Sequence, residues 1–175
     1  MANYFEFFGI PISFSLDEQD LKRRFYANSK KYHPDFYTLE SPDKQAEILH
    51  LSSLNNEAYQ TLSDFDSRMK YILGLKGLLK EEGQNEIPQD FLLDMMDINE
   101  SLIELEFDYD PDAHQRIEQQ LKSLEDNLFS EIKSIMEAYD DQRATETDLK
   151  TIKDYFLKKR YLLRIRENLS KFASR

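Results

Sequence analysis

No cysteine occurs in the 175 residues, which excludes disulfides, thiolate metal centres and cysteine nucleophiles together. A cysteine-free chain fits a reducing cytosol, and a cytoplasmic location is expected. Tryptophan is also absent, and glycine (4) and proline (5) are scarce, leaving few positions for tight β-turns. No apolar run approaches the roughly 20 residues that cross a bilayer. The start, Met1-Ala2-Asn3-Tyr4-Phe5-Glu6, has neither the basic segment nor the apolar core of a secretory leader, so no leader is expected. Bases are in deficit: 23 Lys and Arg face 34 Asp and Glu, a net charge of −11 that opposes a nucleic-acid role, because phosphate binding needs a basic surface. The deficit is local. Between residues 81 and 141 the only bases are Arg116, Lys122 and Lys133, whereas beyond 142 the chain carries Lys150, Lys153, Lys158, Lys159, Arg160, Arg164 and Arg166. Most of these charges read as solvated helix faces, with some pairing between acidic and basic helices.

What is present is helix-forming. Long stretches rich in Leu, Lys, Glu, Gln and Ala favour the α-conformation. Ser15-Leu16-Asp17-Glu18 has the form of a capping box, opening a helix that Pro34 ends near residue 32. Ser41-Pro42 opens a second, whose Ile48, Leu51, Leu54, Ala58 and Leu62 recur every three or four residues as a core stripe. A short helix is expected over 66–75, a linker over 77–88 and a continuous helix over 89–107. Asp110-Pro111 caps a helix to about 139, and Thr145-Glu146-Thr147-Asp148 opens the last. No strand-like alternation survives. The chain is expected to be all-α: a small helical domain over 1–76, a linker over 77–88, and a three-helix bundle over 89–175.

On the first long helix, Leu21, Phe25 and Tyr32 share a narrow apolar arc, with Lys22, Arg23, Arg24, Lys30 and Lys31 opposite. Alone, such a face is ordinary. It becomes specific because His33-Pro34-Asp35 follows it, ahead of a loop and another apolar-striped helix. A metal role for His33 is disfavoured: His50 and His114 belong to other helices, and no cysteine can complete a zinc site. This arrangement resembles a J-domain. The opening Tyr4-Phe5-Glu6-Phe7-Phe8-Gly9-Ile10-Pro11 and the segment Leu54-Asn55-Asn56-Glu57-Ala58-Tyr59-Gln60-Thr61-Leu62 are similar to the HscB family of iron–sulfur co-chaperones. The likeness extends along essentially the whole chain and is to the bacterial type, since the paired C-x-x-C motifs of the eukaryotic branch are absent. It implies that His33, Pro34 and Asp35 contact a DnaK/HscA-type ATPase domain and that Lys22, Arg23 and Lys30 supply an electrostatic docking face. Phe36 stands where many J-domains carry a lysine.

The helix expected over 89–107 carries more apolar residues than one core needs. Phe91, Met95, Ile98, Leu102 and Leu105 form one stripe; Leu92, Leu93 and Met96 fall outside it, near Asp97, Glu100 and Glu104. On periodicity alone, Leu92 and Met96 fit equally well beneath a neighbouring helix or on a surface meant for a partner. The resemblance implies the second: an IscU-type scaffold bound through Leu92, Leu93, Met96, Asp97, Glu100 and Glu104, with Phe156 of the last helix as a further contact. Met96 replaces a leucine and Asp97 a glutamate of the usual pattern.

The expected function is therefore that of a non-enzymatic adaptor joining chaperone and scaffold, without metal, nucleotide or other cofactor, and without need of more than a monomer. The alternative is a J-protein serving another client. No Gly-rich phosphate loop and no Ser-His-Asp arrangement is legible, so no catalytic residue is assigned.

Overall fold

The computed structural model describes residues 3–81 and 83–172; Met1, Ala2 and Glu82, which enter the leader and linker readings, lie outside them. Among the described residues there are eight α-helices and one 3-10 turn and no strand. In order the helices are α1 (Tyr4–Phe8), α2 (Glu18–Lys31), α3 (Pro42–Ser63), α4 (Phe65–Leu75), α5 (Gln89–Asp94), α6 (Met96–Phe107), α7 (Pro111–Glu137) and α8 (Glu146–Phe172), with the 3-10 turn Pro34–Tyr37 between α2 and α3. The chain forms two compact units: residues 1–76 with Tyr139–Arg143, and residues 77–138 with 144–175. The all-α expectation holds.

In the first unit, α2 and α3 pack along one another and α1 lies against both. Leu21 of α2, Ile48, Ala58 and Leu62 of α3, and Met69, Ile72 and Leu73 of α4 are buried with Phe5, Phe8 and Phe14. Helix α1 is legible in its caps. Asn3 Oδ1 accepts from the Glu6 amide (2.9 Å) while Glu6 reaches back to the Asn3 amide (3.2 Å), and Gly9, at φ +65°, closes the helix in the left-handed conformation that a side chain disfavours. Two polar residues hold the core from inside. Asn55 Nδ2 donates to the Phe25 carbonyl (3.2 Å) and Ser29 Oγ (3.0 Å), locking α3 to α2. The buried Arg68 donates through Nε to the Phe14 carbonyl (3.1 Å) and through Nη1 to the Leu62 carbonyl, the end of α3. In the same unit the Phe14 and Tyr139 rings meet edge to face at 4.7 Å, and Asp141 accepts from the Tyr139 hydroxyl (2.7 Å) beside Lys76.

The capping box proposed at Ser15 does not form. Asp17 is the N-cap of α2, its Oδ1 accepting from the amides of Gln19 (2.9 Å) and Asp20 (3.0 Å), and Ser15 instead bonds Ser13. A carboxylate at the helix N-terminus gains from the dipole as well as from the hydrogen bonds, so it outcompetes the hydroxyl two residues upstream. Asp17→Ala is accordingly expected to lower stability by about 1 kcal/mol in urea unfolding, and Ser15→Ala by less than about 0.5 kcal/mol.

In the second unit, Phe91, Met95, Ile98 and Leu105 pack with Ile117 and Leu121 of α7 and Leu162, Ile165 and Leu169 of α8. The His114 imidazole Nε2–H donates to the Leu169 carbonyl (3.2 Å), tying the start of α7 to the end of α8. Arg166 pairs with Glu125 at 2.7 Å, an instance of the acidic helix answering the basic one. The helix expected as continuous over 89–107 is broken at Met95, whose ψ of −6° departs from the helical value near −42°. No glycine or proline marks that break, so apolar periodicity runs straight through it. Asn85 folds the preceding segment over, accepting from the Lys80 amide (2.9 Å) and donating to the Lys80 carbonyl (3.1 Å).

Candidate docking surfaces

The first candidate surface is built by the end of α2 and the turn that Pro34 imposes. Pro34 cannot donate to the α2 ladder, so the helix stops at Lys31 and the chain re-enters as the 3-10 turn. His33 caps that turn: its Nδ1 accepts from the Asp35 amide at 3.3 Å, which leaves Nε2 as the protonated nitrogen of the neutral ring. The Asp35 carboxylate lies 3.7 Å from Nδ1. The Phe36 amide donates to the His33 carbonyl (3.1 Å), and the Tyr37 hydroxyl donates to the Lys31 carbonyl (2.8 Å), fastening the turn to α2. Beyond it, Gln45 Nε2 of α3 holds the carbonyls of Thr38 (3.2 Å) and Glu40 (2.9 Å). His33, Pro34 and Asp35 are all exposed on this braced loop, and so are Lys22, Arg23 and Lys30.

The five bases grouped on the outer arc of α2 divide in the structure. Arg24, half-buried, donates to Asp20 (2.7 Å) and the Phe8 carbonyl (2.9 Å) and so fixes α1. Arg23 also pairs with Asp20. The Arg24 hydrogen bond, opposed by desolvation and assisted by the charges of Arg24 and Arg23, holds the Asp20 carboxyl below the ordinary aspartate range. A lowered folded pKa means that the stabilisation is present above the unfolded value of about 4 and is lost as pH falls through the folded one. Asp20→Asn is therefore expected to be less stable than the parent at pH 7, with the difference shrinking below about pH 4; urea titrations at the two pH values read it directly.

The second candidate surface lies on α5 and α6. Burial of Phe91 and Met95 turns Leu92, Leu93 and Met96 outward, at 37%, 62% and 60% exposure. Asp97, Glu100 and Glu104 are exposed on the same helix. The buried side is held by edge-to-face contact of Phe91 with Tyr161 (5.7 Å) and by Asn99 Nδ2 donating to the Tyr161 hydroxyl (2.8 Å). Leu92 and Met96 thus do not widen the core stripe. Phe156 differs from the rest of the set: it is 4% exposed, with the Arg160 guanidinium 5.7 Å from its ring centre, and offers packing rather than surface. The side chains that sequence reasoning assigned no role are Asn55, which ties α3 to α2 behind the first surface, Arg68, which holds the Phe14 and Leu62 carbonyls, and Ile103 and Phe107, which stand exposed on α6. Asn55 sits seven residues beyond Ile48 and three before Ala58, on the core stripe itself, which is the signal that would have found it. Among the described residues no group of three His, Cys, Asp or Glu is placed to hold a metal ion, and no helix is long and apolar enough to cross a membrane.

Comparison with known proteins bears on both units. The DnaJ domain matches residues 3–71, and the HSCB C-terminal oligomerisation domain matches residues 87–170. The HscB homolog of Vibrio parahaemolyticus, a co-chaperone protein, is 31% identical over 137 residues, spanning 72% of this chain and 80% of that protein. The chain belongs to the HscB family. The co-chaperone HscB homolog of Vibrio cholerae serotype O1 is 38% identical over 112 residues, a stretch that spans 63% of this chain and 66% of that relative's length. The crystal structure of human co-chaperone protein HscB matches with a TM-score of 0.73 at 28% identity, covering 97% of this chain and 81% of the human one. Chaperone HscB from Vibrio cholerae shares the fold over 99% of this chain, with a TM-score of 0.69 at 24% identity. The first unit is thus a J-domain and the second an HscB C-terminal domain.

Proposed function

We propose that this chain is a non-enzymatic co-chaperone of iron–sulfur cluster assembly, acting in the cytoplasm on a DnaK/HscA-type chaperone and delivering an IscU-type scaffold to it. The observation that carries the reading is the pairing, in one HscB-family chain, of an exposed His-Pro-Asp turn beside basic α2 with an exposed apolar face on α5–α6 bordered by carboxylates. Lys22, Arg23 and Lys30 steer α2 toward an acidic surface of the chaperone's ATPase domain. His33, Pro34 and Asp35 then dock as a rigid unit, with Asp35 accepting a charge-assisted bond from an arginine of the chaperone. That contact favours ATP hydrolysis by the chaperone, and the chemistry stays on the chaperone.

Leu92, Leu93 and Met96 supply the apolar anchors for the scaffold, and Asp97, Glu100 and Glu104 orient its bases. Met96 suits such a surface because its unbranched thioether adapts to the partner's shape. Joining the scaffold-binding unit to the J-domain in one chain raises the scaffold's local concentration at the chaperone, so hydrolysis traps the client already delivered. The cluster is cargo in this scheme, held by the scaffold. Calorimetric titration of the IscU-type scaffold of the same organism into this protein tests the reading. Saturable binding that weakens when Leu92, Leu93 and Met96 are truncated supports it; absence of heat at high micromolar concentrations assigns the second unit to a different client.

A further inference from the structure

The exposed apolar residues of α6 do not end at Met96. Taking 100° per residue, Met96, Ile103 and Phe107 fall within about 40° of arc and span about 16 Å along the axis. Ile103 is 56% exposed and Phe107 87%. Glu100, Glu104 and Asp97 follow at about 40°, 80° and 100° on one flank, and Glu106 lies about 80° away on the other. No lysine or arginine occurs anywhere between residues 89 and 107. An apolar stripe running the whole length of a helix, rimmed on both sides by carboxylates and without a base, is complementary to an apolar patch bordered by Lys and Arg. Met96 opens α6 directly after α5, whose Leu92 and Leu93 are exposed as well.

We infer that the scaffold-docking surface extends along all of α6 to the α6–α7 corner, with Ile103 and Phe107 as a second anchor that receives an apolar patch of the scaffold flanked by basic residues. The inference rests on the proposed function. Phe107 is the largest side chain of the stripe and stands at the far end from Leu92, so the two ends together set the register of the partner along the helix. An aromatic anchor at the end of a charged rim contributes through burial of its ring, whereas the carboxylates act on the encounter and give it salt dependence.

The test titrates the scaffold of the same organism into the parent protein, into Ile103→Ala/Phe107→Ala, and into Leu92→Ala/Leu93→Ala/Met96→Ala, at low and high salt. The expected result is a loss of about tenfold or more in affinity for the Ile103/Phe107 variant, unchanged helicity and melting temperature, and parental binding that weakens with salt. Parental affinity in that variant, with clear weakening in the Leu92/Leu93/Met96 variant, overturns the extension while the proposed function stands. No binding by the parent overturns both. A sedimentation experiment without scaffold adds the remaining outcome: if the parent self-associates and Phe107→Ala makes it monomeric, the stripe serves a second copy and the inference falls.

Discussion

His33→Gln is expected to abolish stimulation of the chaperone's ATPase, bringing steady-state hydrolysis back to the rate of the chaperone alone. The argument is local. His33 is exposed and braces its own turn through Nδ1, leaving the Nε2–H as the outward donor. Glutamine keeps a polar side chain of similar reach, but its amide cannot both cap the turn as the ring does and present a donor on the same rigid plane. Because His33 is exposed, helicity should be the parent's and any loss of stability confined to the turn cap, about 1 kcal/mol or less. Scaffold binding should also be unaffected, since the second unit is built from other residues. A folded His33→Gln protein that still stimulates fully would remove the chaperone role from this turn.

Truncating Leu92, Leu93 and Met96 together to alanine is expected to weaken scaffold binding by about 2–4 kcal/mol if they act as a hot spot, that is, roughly 30- to 700-fold in Kd. The structure makes this a clean experiment. The three side chains are exposed members of a helix pair whose buried members are Phe91, Met95, Ile98 and Leu105, so the core stripe is untouched. ATPase stimulation by the triple variant in the absence of scaffold should equal the parent's, which separates loss of delivery from loss of the J-domain contact. An unchanged Kd would mean that the exposed patch is not where the scaffold docks.

Several features were legible because they are local. Pro34 and Pro42 forced helix boundaries regardless of context, and Asp110-Pro111 and Thr145-Asp148 capped α7 and α8 where expected, Asp148 accepting from Thr145 and Thr145 Oγ1 accepting from the Asp148 amide. Periodicity set Phe91, Met95, Ile98, Leu102 and Leu105 on one stripe and Leu92, Leu93 and Met96 outside it, but left open whether a neighbouring helix covers Leu92 and Met96. It failed at the break in that helix. Met95 carries no sequence mark of a kink, and the departure of one ψ angle changes no residue's place in the pattern enough to be read. It failed also at Ser15, where two competing caps stood two residues apart and only the folded chain selected Asp17.

What this sequence determined by itself was the all-helical class, the helix boundaries set by proline and caps, the His33-Pro34-Asp35 turn, and the basic arc of α2 and apolar stripe of α5–α6, the docking roles of their residues being what the resemblance to HscB implies. All of these depend on bonding between residues close in the chain, or on one helix's own geometry. Tertiary structure alone decided which candidates reach solvent and which are consumed in packing. It drew Arg24 into the carbonyls of α1, buried Phe156, placed Asn55 and Arg68 as internal braces, and left Ile103 and Phe107 uncovered. Those outcomes depend on what each helix finds opposite it, a property of the whole unit that no single helix's pattern contains.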